Sequence, residues 1–154
     1  MTVRPATAAD LPPVLDVETA VFAHDALPYF HFRQMLDAVP AFFLVAEEGG
    51  RLAGYVLGSM QAGDAHGWIL SLAVSPDFRG RGIGEMLVRG VLDAFAARGA
   101  AEAMLHVSPA NRGAVALYAK LGFQEVRVEA DYFGPGADRA ILRRALSAPG
   151  ASRG

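Results

Sequence analysis

The apolar positions change their period several times along the chain, and each change marks an element. Thr2–Arg4 reads as a short strand, after which Thr7 or Asp10 is suited to cap a helix. From Leu11 to Phe22 the apolar residues Leu11, Val14, Leu15, Val17, Val21 and Phe22 follow one helical face, with Pro12 and Pro13 tolerated in the first turn. Ala26–Pro28 interrupts the pattern, and Tyr29–Ala38 predicts a second short helix stopped by Pro40. Ala41–Glu47 and Leu52–Met60 have strand character, and the Gly49-Gly50 pair between them is a hairpin signal. Beyond the loop Gln61–His66, Trp68–Val74 is a further strand, ended by Pro76. Gly82–Arg98 carries Ile83, Met86, Leu87, Val91, Leu92 and Phe95 at three- and four-residue spacing, the clearest amphipathic helix in the chain. Ala103–Val107 is a short strand, Asn111–Leu121 a helix closed by Gly122, and Phe123–Val128 with Arg139–Leu146 a last antiparallel pair.

That order of strand, two helices, three strands, helix, strand, helix and two strands predicts a mixed α/β (α+β) fold. It is a mostly antiparallel sheet of seven strands with four helices, not a regular alternation of strand and helix. A length of 154 residues supports one domain with a real core and not two, so residues 1–146 are expected to fold together. Ser147–Gly154 has little to bury and is expected to be a disordered tail.

Composition mainly excludes. A net charge of −2 with no basic stripe argues against a nucleic-acid partner held by phosphate contacts. The absence of cysteine removes disulfides, thiolate metal sites and an acyl-cysteine intermediate. The longest strongly apolar run, Ala41–Ala46, is far short of a membrane span, and no secretory signal opens the chain; a soluble, cytoplasmic protein is expected. His24, His31 and His66 show no ligand spacing, so they read as structural or surface residues and no metal site is expected. A monomer and a homodimer stay equally open.

The chemistry begins at Leu70-Ser71-Leu72-Ala73-Val74-Ser75-Pro76-Asp77-Phe78-Arg79-Gly80-Arg81-Gly82-Ile83-Gly84, where a strand ends, a tight turn follows and a helix starts. Alternating glycines leave backbone N–H groups uncovered, the positive end of the helix dipole faces the same space, and Arg79 and Arg81 add charge. Such a turn suits a pyrophosphate. It is not a P-loop, because no Gly-Lys-Ser/Thr closes it. Nor is it a dinucleotide fingerprint, because Glu85 stands where the third glycine belongs.

Arg79–Gly84 resembles the Gln/Arg-x-x-Gly-x-Gly/Ala signature of the GCN5-related N-acetyltransferases (GNAT). The resemblance continues through Leu105-His106-Val107-Ser108-Pro109-Ala110-Asn111, Ala114, Leu117-Tyr118, Leu121-Gly122-Phe123, Asp131-Tyr132-Phe133 and Asp138-Arg139-Ala140. These segments are similar to the protein N-terminal acetyltransferases, the ribosomal-protein alanine acetyltransferases in particular. The match covers Trp68 to Leu142; the N-terminal third agrees mainly in element order.

The resemblance implies a co-substrate, acetyl-CoA, and an amine acceptor. Its pyrophosphate would lie on Arg79, Gly80, Arg81, Gly82, Ile83 and Gly84. Leu72, Ala73 and Val74 would pair with the pantetheine arm, and an N–H of Ala73 or Val74 would polarise the thioester carbonyl. Asn111 would hold the arm through its amide or serve only as a helix N-cap. Tyr118 matches the tyrosine that protonates the leaving thiolate, although its helix face also suits plain core. His106 stands where the ribosomal-protein group usually has glutamate, and a histidine is a suitable base near neutral pH. The alternative for His106 is a half-buried strand residue satisfied by a backbone carbonyl. Trp68 replaces a tyrosine that assists in some relatives, and an indole cannot act as a base.

By the same resemblance the acceptor would lie between Phe22–Tyr29 and Asp131–Gly136, touching Phe22, Tyr29, Trp68, Tyr132 and Phe133, with Pro135 and Gly136 giving a stiff turn. Glu18 is read as a solvated helix position instead of an acceptor-facing charge. An α-amine, with a pKa of about 8, loses its proton more easily than a lysine at about 10.4, which favours a peptide N-terminus. A small-molecule amine acceptor and a non-catalytic acyl-CoA-binding module remain as alternatives.

Overall fold

The structure, a computed structural model, describes residues 1–146; the expected tail, residues 147–154, lies outside the described residues. Eleven elements follow the predicted order. They are β1 (Thr2–Pro5), α1 (Leu11–Phe22), α2 (Tyr29–Ala38), β2 (Phe43–Glu48), β3 (Arg51–Met60), β4 (His66–Val74), α3 (Ile83–Ala97), β5 (Glu102–Val107), α4 (Arg112–Lys120), β6 (Gln124–Glu129) and β7 (Arg139–Ala145). Short 3-10 turns precede α1, β2 and the glycine turn. The differences from expectation sit at the ends: β4 starts two residues early at His66, and Pro40–Phe42 forms a 3-10 turn before β2.

The seven strands form one sheet in the order β1-β2-β3-β4-β5-β7-β6. Every neighbouring pair is antiparallel except β4 and β5. That parallel ladder is short, joining His66–Ile69 to Glu102–Leu105. Beyond it Ser71–Val74 stay paired with β3, while His106 and Val107 stay paired with β7. The strands therefore part, and the sheet opens in a wedge at its centre. A bulge begins the parting: Leu57 faces Ser71 and Gly58 faces Ile69, which leaves Leu70 without a partner on β3. An extra residue in one strand bends it and sharpens its twist.

Each face of the sheet carries its own core. On one, α3 lays Ile83, Leu87, Val88, Val91, Leu92 and Phe95 over the strands, joined by Tyr118 of α4. Phe95 reaches so close that a Cβ on Gly67 would lie 2.4 Å from its ring and one on Gly58 2.7 Å, so these strand positions must be glycine. On the other face α1 and α2 cover Val45, Tyr55, Leu57 and Ala73 with Leu11, Val14, Val17 and Phe32. Side chains alternate between the faces along each strand, so the residues around the wedge divide between two compartments.

Candidate active site

Below the wedge, the turn from β4 to α3 has the geometry the sequence suggested. Gly80 (φ 79°) and Gly82 (φ 76°) lie in the left-handed region, where other residues are strained. Among the described residues nothing stands within 4 Å of where a Cβ would project from either, so they leave the concave side of the turn open. Gly82 is the N-cap of the 15-residue α3, and the first-turn N–H groups have no intrahelical acceptor. Gly84 sits deeper, its Cβ position 3.3 Å from Leu117 and 3.7 Å from Val74, which seats α3 against β4 and α4. The two arginines divide their work. Arg81 turns away to Glu48 at 2.7 Å and lies 5.2 Å over the Phe78 ring, tying the turn to the β2–β3 hairpin. Arg79 is exposed. Open N–H donors at a helix N-terminus beside a guanidinium fit a pyrophosphate.

At the wedge, Leu72 and Val74 point toward α3 and Ala73 toward the opposite core. Among the described residues no strand lies against the edge of Leu72–Val74 that faces β5, because the parallel ladder has already ended. Asn111 is the N-cap of α4, its Oδ1 accepting from the Ala114 N–H at 3.2 Å. The capping role is thus present, and the side-chain NH₂ is left over. Tyr118 is buried at 6 % exposure, edge-on to Phe123 at 5.5 Å. Burial pushes its phenol up to about 12, so it stays protonated across the ordinary pH range.

His106 lies on the face opposite Tyr118. Its ring stacks on Trp68 at 4.8 Å and meets Tyr132 and Phe133 of the β6–β7 loop, each at 5.1 Å. That loop is held by its own hydrogen bonds: Gly136 N–H donates to Asp131 Oδ1 at 2.7 Å, and Phe133 N–H to the Ala137 carbonyl at 3.1 Å. Burial, then the positive charges of Arg139 and Arg127, hold the imidazole below its ordinary pKa. Its Nε2 is sealed from solvent and has no hydrogen-bond partner among the described residues. The alternative reading, a histidine satisfied by a backbone carbonyl, finds no such bond at Nε2. A neutral imidazole with an unused lone pair is a competent proton acceptor.

The predicted acceptor residues separate into two sets. Trp68, Tyr132 and Phe133 gather round His106. Phe22 packs half-buried on the α1–α2 core and Tyr29 stands exposed, at the two ends of the loop of residues 23–28. His66, expected as a structural or surface residue, bridges Asp64 at 2.8 Å and Glu102 at 2.7 Å at the far end of β4. No group of three or more histidine, cysteine, aspartate or glutamate residues suited to a metal ion occurs among the described residues.

One expectation is overturned. Glu18 is not solvated but 2 % exposed. Its Oε1 accepts from the Tyr55 hydroxyl at 2.5 Å, and its Oε2 from the Leu27 N–H at 3.0 Å. The signal was in the sequence: position 18 falls seven residues after Leu11 and four after Val14, on the buried stripe of α1. The same helical spacing that identified α1 therefore also places Glu18 inside.

Comparison with known proteins finds relatives of this chain. The family model described as "Acetyltransferase (GNAT) family" matches residues 12–123. An N-alpha-acetyltransferase of Sulfurisphaera tokodaii is 32% identical over 130 residues, covering 77% of this chain and 78% of that protein. Naa20 of Chaetomium thermophilum, solved in complex with a bisubstrate analogue, superposes with a TM-score of 0.83 at 25% identity, over 95% of this chain and 87% of that one. The ribosomal-protein-alanine N-acetyltransferase of Brucella melitensis has the same fold, with a TM-score of 0.80 at 24% identity over 95% of this chain and 100% of that one.

Proposed function

The chain belongs to the acetyltransferase (GNAT) family and is an acetyl-CoA-dependent enzyme, and from that premise we propose that it acetylates the free α-amine of a protein or peptide. The observation that carries this reading is the aromatic cluster around His106, closed by the β6–β7 loop, in which Nε2 has no hydrogen-bond partner among the described residues and the imidazole is held below its ordinary pKa. Acetyl-CoA supplies a thioester carbonyl open to attack. In our reading the Arg79–Gly84 turn holds its pyrophosphate, and the unpaired edge of Leu72–Val74 holds the pantetheine arm. An N–H of that edge polarises the carbonyl where negative charge develops.

His106 accepts the proton the amine must lose, and Tyr118, kept protonated by burial, donates to the departing sulfur. The two lie on opposite faces of the sheet, as an acid and a base serving opposite ends of one transfer should. Asn111 supports the arm with the half of its amide not used in capping. Trp68 acts as a wall that desolvates His106. Favouring a peptide are the similarity to an N-alpha-acetyltransferase and the lower pKa of an α-amine.

The test is acetyl transfer from acetyl-CoA to a panel of free-N-terminus peptides, the same peptides blocked at the N-terminus but carrying lysine, and simple alkylamines. Higher kcat/KM on the free-N-terminus peptides is expected. Preference for the alkylamines would replace this reading with a small-molecule acetyltransferase.

A further inference from the structure

Glu18 belongs to a line of three side chains that crosses the α1–α2 core and ends at the wedge. Leu27 N–H donates to Oε2, the Tyr55 hydroxyl donates to Oε1, and the Tyr55 oxygen lies 2.7 Å from Ser71 Oγ. The direction of the last bond follows from the first two. Tyr55 has one hydroxyl proton and gives it to the carboxylate, so only its oxygen lone pair is free for Ser71. Ser71 must then donate, and its own oxygen is left with lone pairs and no proton to offer.

The position of Ser71 gives this a use. It follows the unpaired Leu70 of the bulge and precedes Leu72, at the point where β4 leaves β5. Leu57 is its partner on β3 and Ser59 that of Trp68, so Ser71 and Trp68 share a face of the sheet, and Trp68 stacks on His106. His106 comes one residue and Ser71 two residues after the last pair of the β4–β5 ladder, Ile69 with Leu105, so the two side chains lie on one face of the sheet but on the two different strands that border the opening. Ser71 is half-buried, whereas Tyr55 and Glu18 are fully buried.

From this arrangement we infer that Ser71 Oγ is the hydrogen-bond acceptor that receives an N–H of the incoming amine, and that Tyr55 and Glu18 are positioning residues that keep it an acceptor. The inference rests on the amine-acetylating reading but not on the acceptor being a peptide. A primary amine offers several N–H groups. His106 takes one proton from one side of the opening, Ser71 holds a second N–H from the other, and the nitrogen lone pair is turned toward the carbonyl between them. The carboxylate acts through two aligned hydrogen bonds, each of which polarises the next. Through Leu27 the same carboxylate also pins the loop of residues 23–28. That loop opens on Ala23 with φ 50° and ψ −120°, a strained conformation for alanine that persists only where the surroundings hold it.

The experiment uses the full chain and the wild type's best acceptor from the amine panel above. Ser71→Ala should lower kcat/KM for that acceptor about ten- to hundredfold, the worth of a hydrogen bond to a charged or charging group. The KM for acetyl-CoA should stay within about twofold. Ser71→Thr, which keeps the hydroxyl, should restore most of the loss. Glu18→Gln lets the amide donate to Tyr55, reverses the line and turns Ser71 into a donor. It should raise the acceptor KM while Ser71→Ala in the same background adds little, because the two act as one unit. Unchanged acceptor kcat/KM in Ser71→Ala, or equal losses for both substrates, would overturn the inference whatever Glu18→Gln does to folding. If the best acceptor proves to be an alkylamine, the peptide reading fails while the Ser71 comparison still decides this one.

Discussion

The glycine turn and the aromatic cluster around His106 border one opening of the sheet but are built by opposite strategies. The turn from Arg79 to Gly84 is continuous in sequence, and its donors are backbone N–H groups and the end of one helix. The cluster collects Trp68 from β4, His106 from β5 and Tyr132 with Phe133 from the β6–β7 loop, while the Ser71 line draws on α1, β3 and β4. A ligand part that is constant, such as a pyrophosphate, can be met by backbone, whose chemistry no substitution of side chains removes. In the proposed reading the acceptor amine would be met instead by side chains from separate segments, each free to change alone. The replacement of the expected glutamate by His106, and of a tyrosine by Trp68, both fall in the second region.

The sharpest way to break this contrast is His106→Ala. A fall in rate of about 10²–10⁴-fold is expected, the size of one general-base contribution, with acetyl-CoA affinity measured by calorimetry unchanged. In the wild type, kcat should rise with pH through a limb lying below about pH 6.5, because the imidazole is held below its ordinary value and must be neutral to act. The limb should vanish in the variant. Unchanged turnover would remove His106 from the chemistry and leave the aromatic cluster as packing only.

Gly82→Val tests the other region. A β-branched residue at φ 76° is strained by roughly 1–2 kcal/mol and projects into the open cradle. The Kd for acetyl-CoA should rise about tenfold, with KM for the amine little altered once acetyl-CoA is saturating. A larger effect on the amine than on acetyl-CoA would mean that the two regions are not separable.

Asp64→Asn is the smallest of these and serves as a control outside both regions. Asp64, and less strongly Glu102, raise the pKa of His66, so the folded protein holds that proton more tightly than the unfolded chain does. The stabilisation is fully present below the unfolded value of about 6.5 and is lost as pH rises through the raised folded value. The wild type should therefore melt slightly above the variant at about pH 5.5, and the gap should close as the pH is raised past His66's folded value. The groups are partly exposed, so the gap is small and should shrink further in salt. Acetyl transfer should be unaffected.

Much of this molecule was legible in the sequence because it is local. Helical spacing from Ile83 to Phe95, the Gly49-Gly50 hairpin and the Arg79–Gly84 turn depend on residues a few positions apart, and those elements stand where the pattern put them. The family resemblance carried His106, Tyr118, Tyr132 and Phe133 to their segments, but not their relation to one another. Only the tertiary structure decided that Tyr118 and His106 lie on opposite faces, because that follows from strand register, and a slip of one residue exchanges the faces. Strand pairing likewise placed an unpaired Leu70 where β4 and β5 part. The direction of the Glu18–Tyr55–Ser71 line depends on three segments meeting in one core, with Glu18 separated from Tyr55 by 37 residues and Tyr55 from Ser71 by 16. A sequence specifies its local geometry through short-range sterics and hydrogen bonding. Which side chains share a buried hydrogen bond is settled only when the packed core excludes water and leaves each polar group the partners within reach.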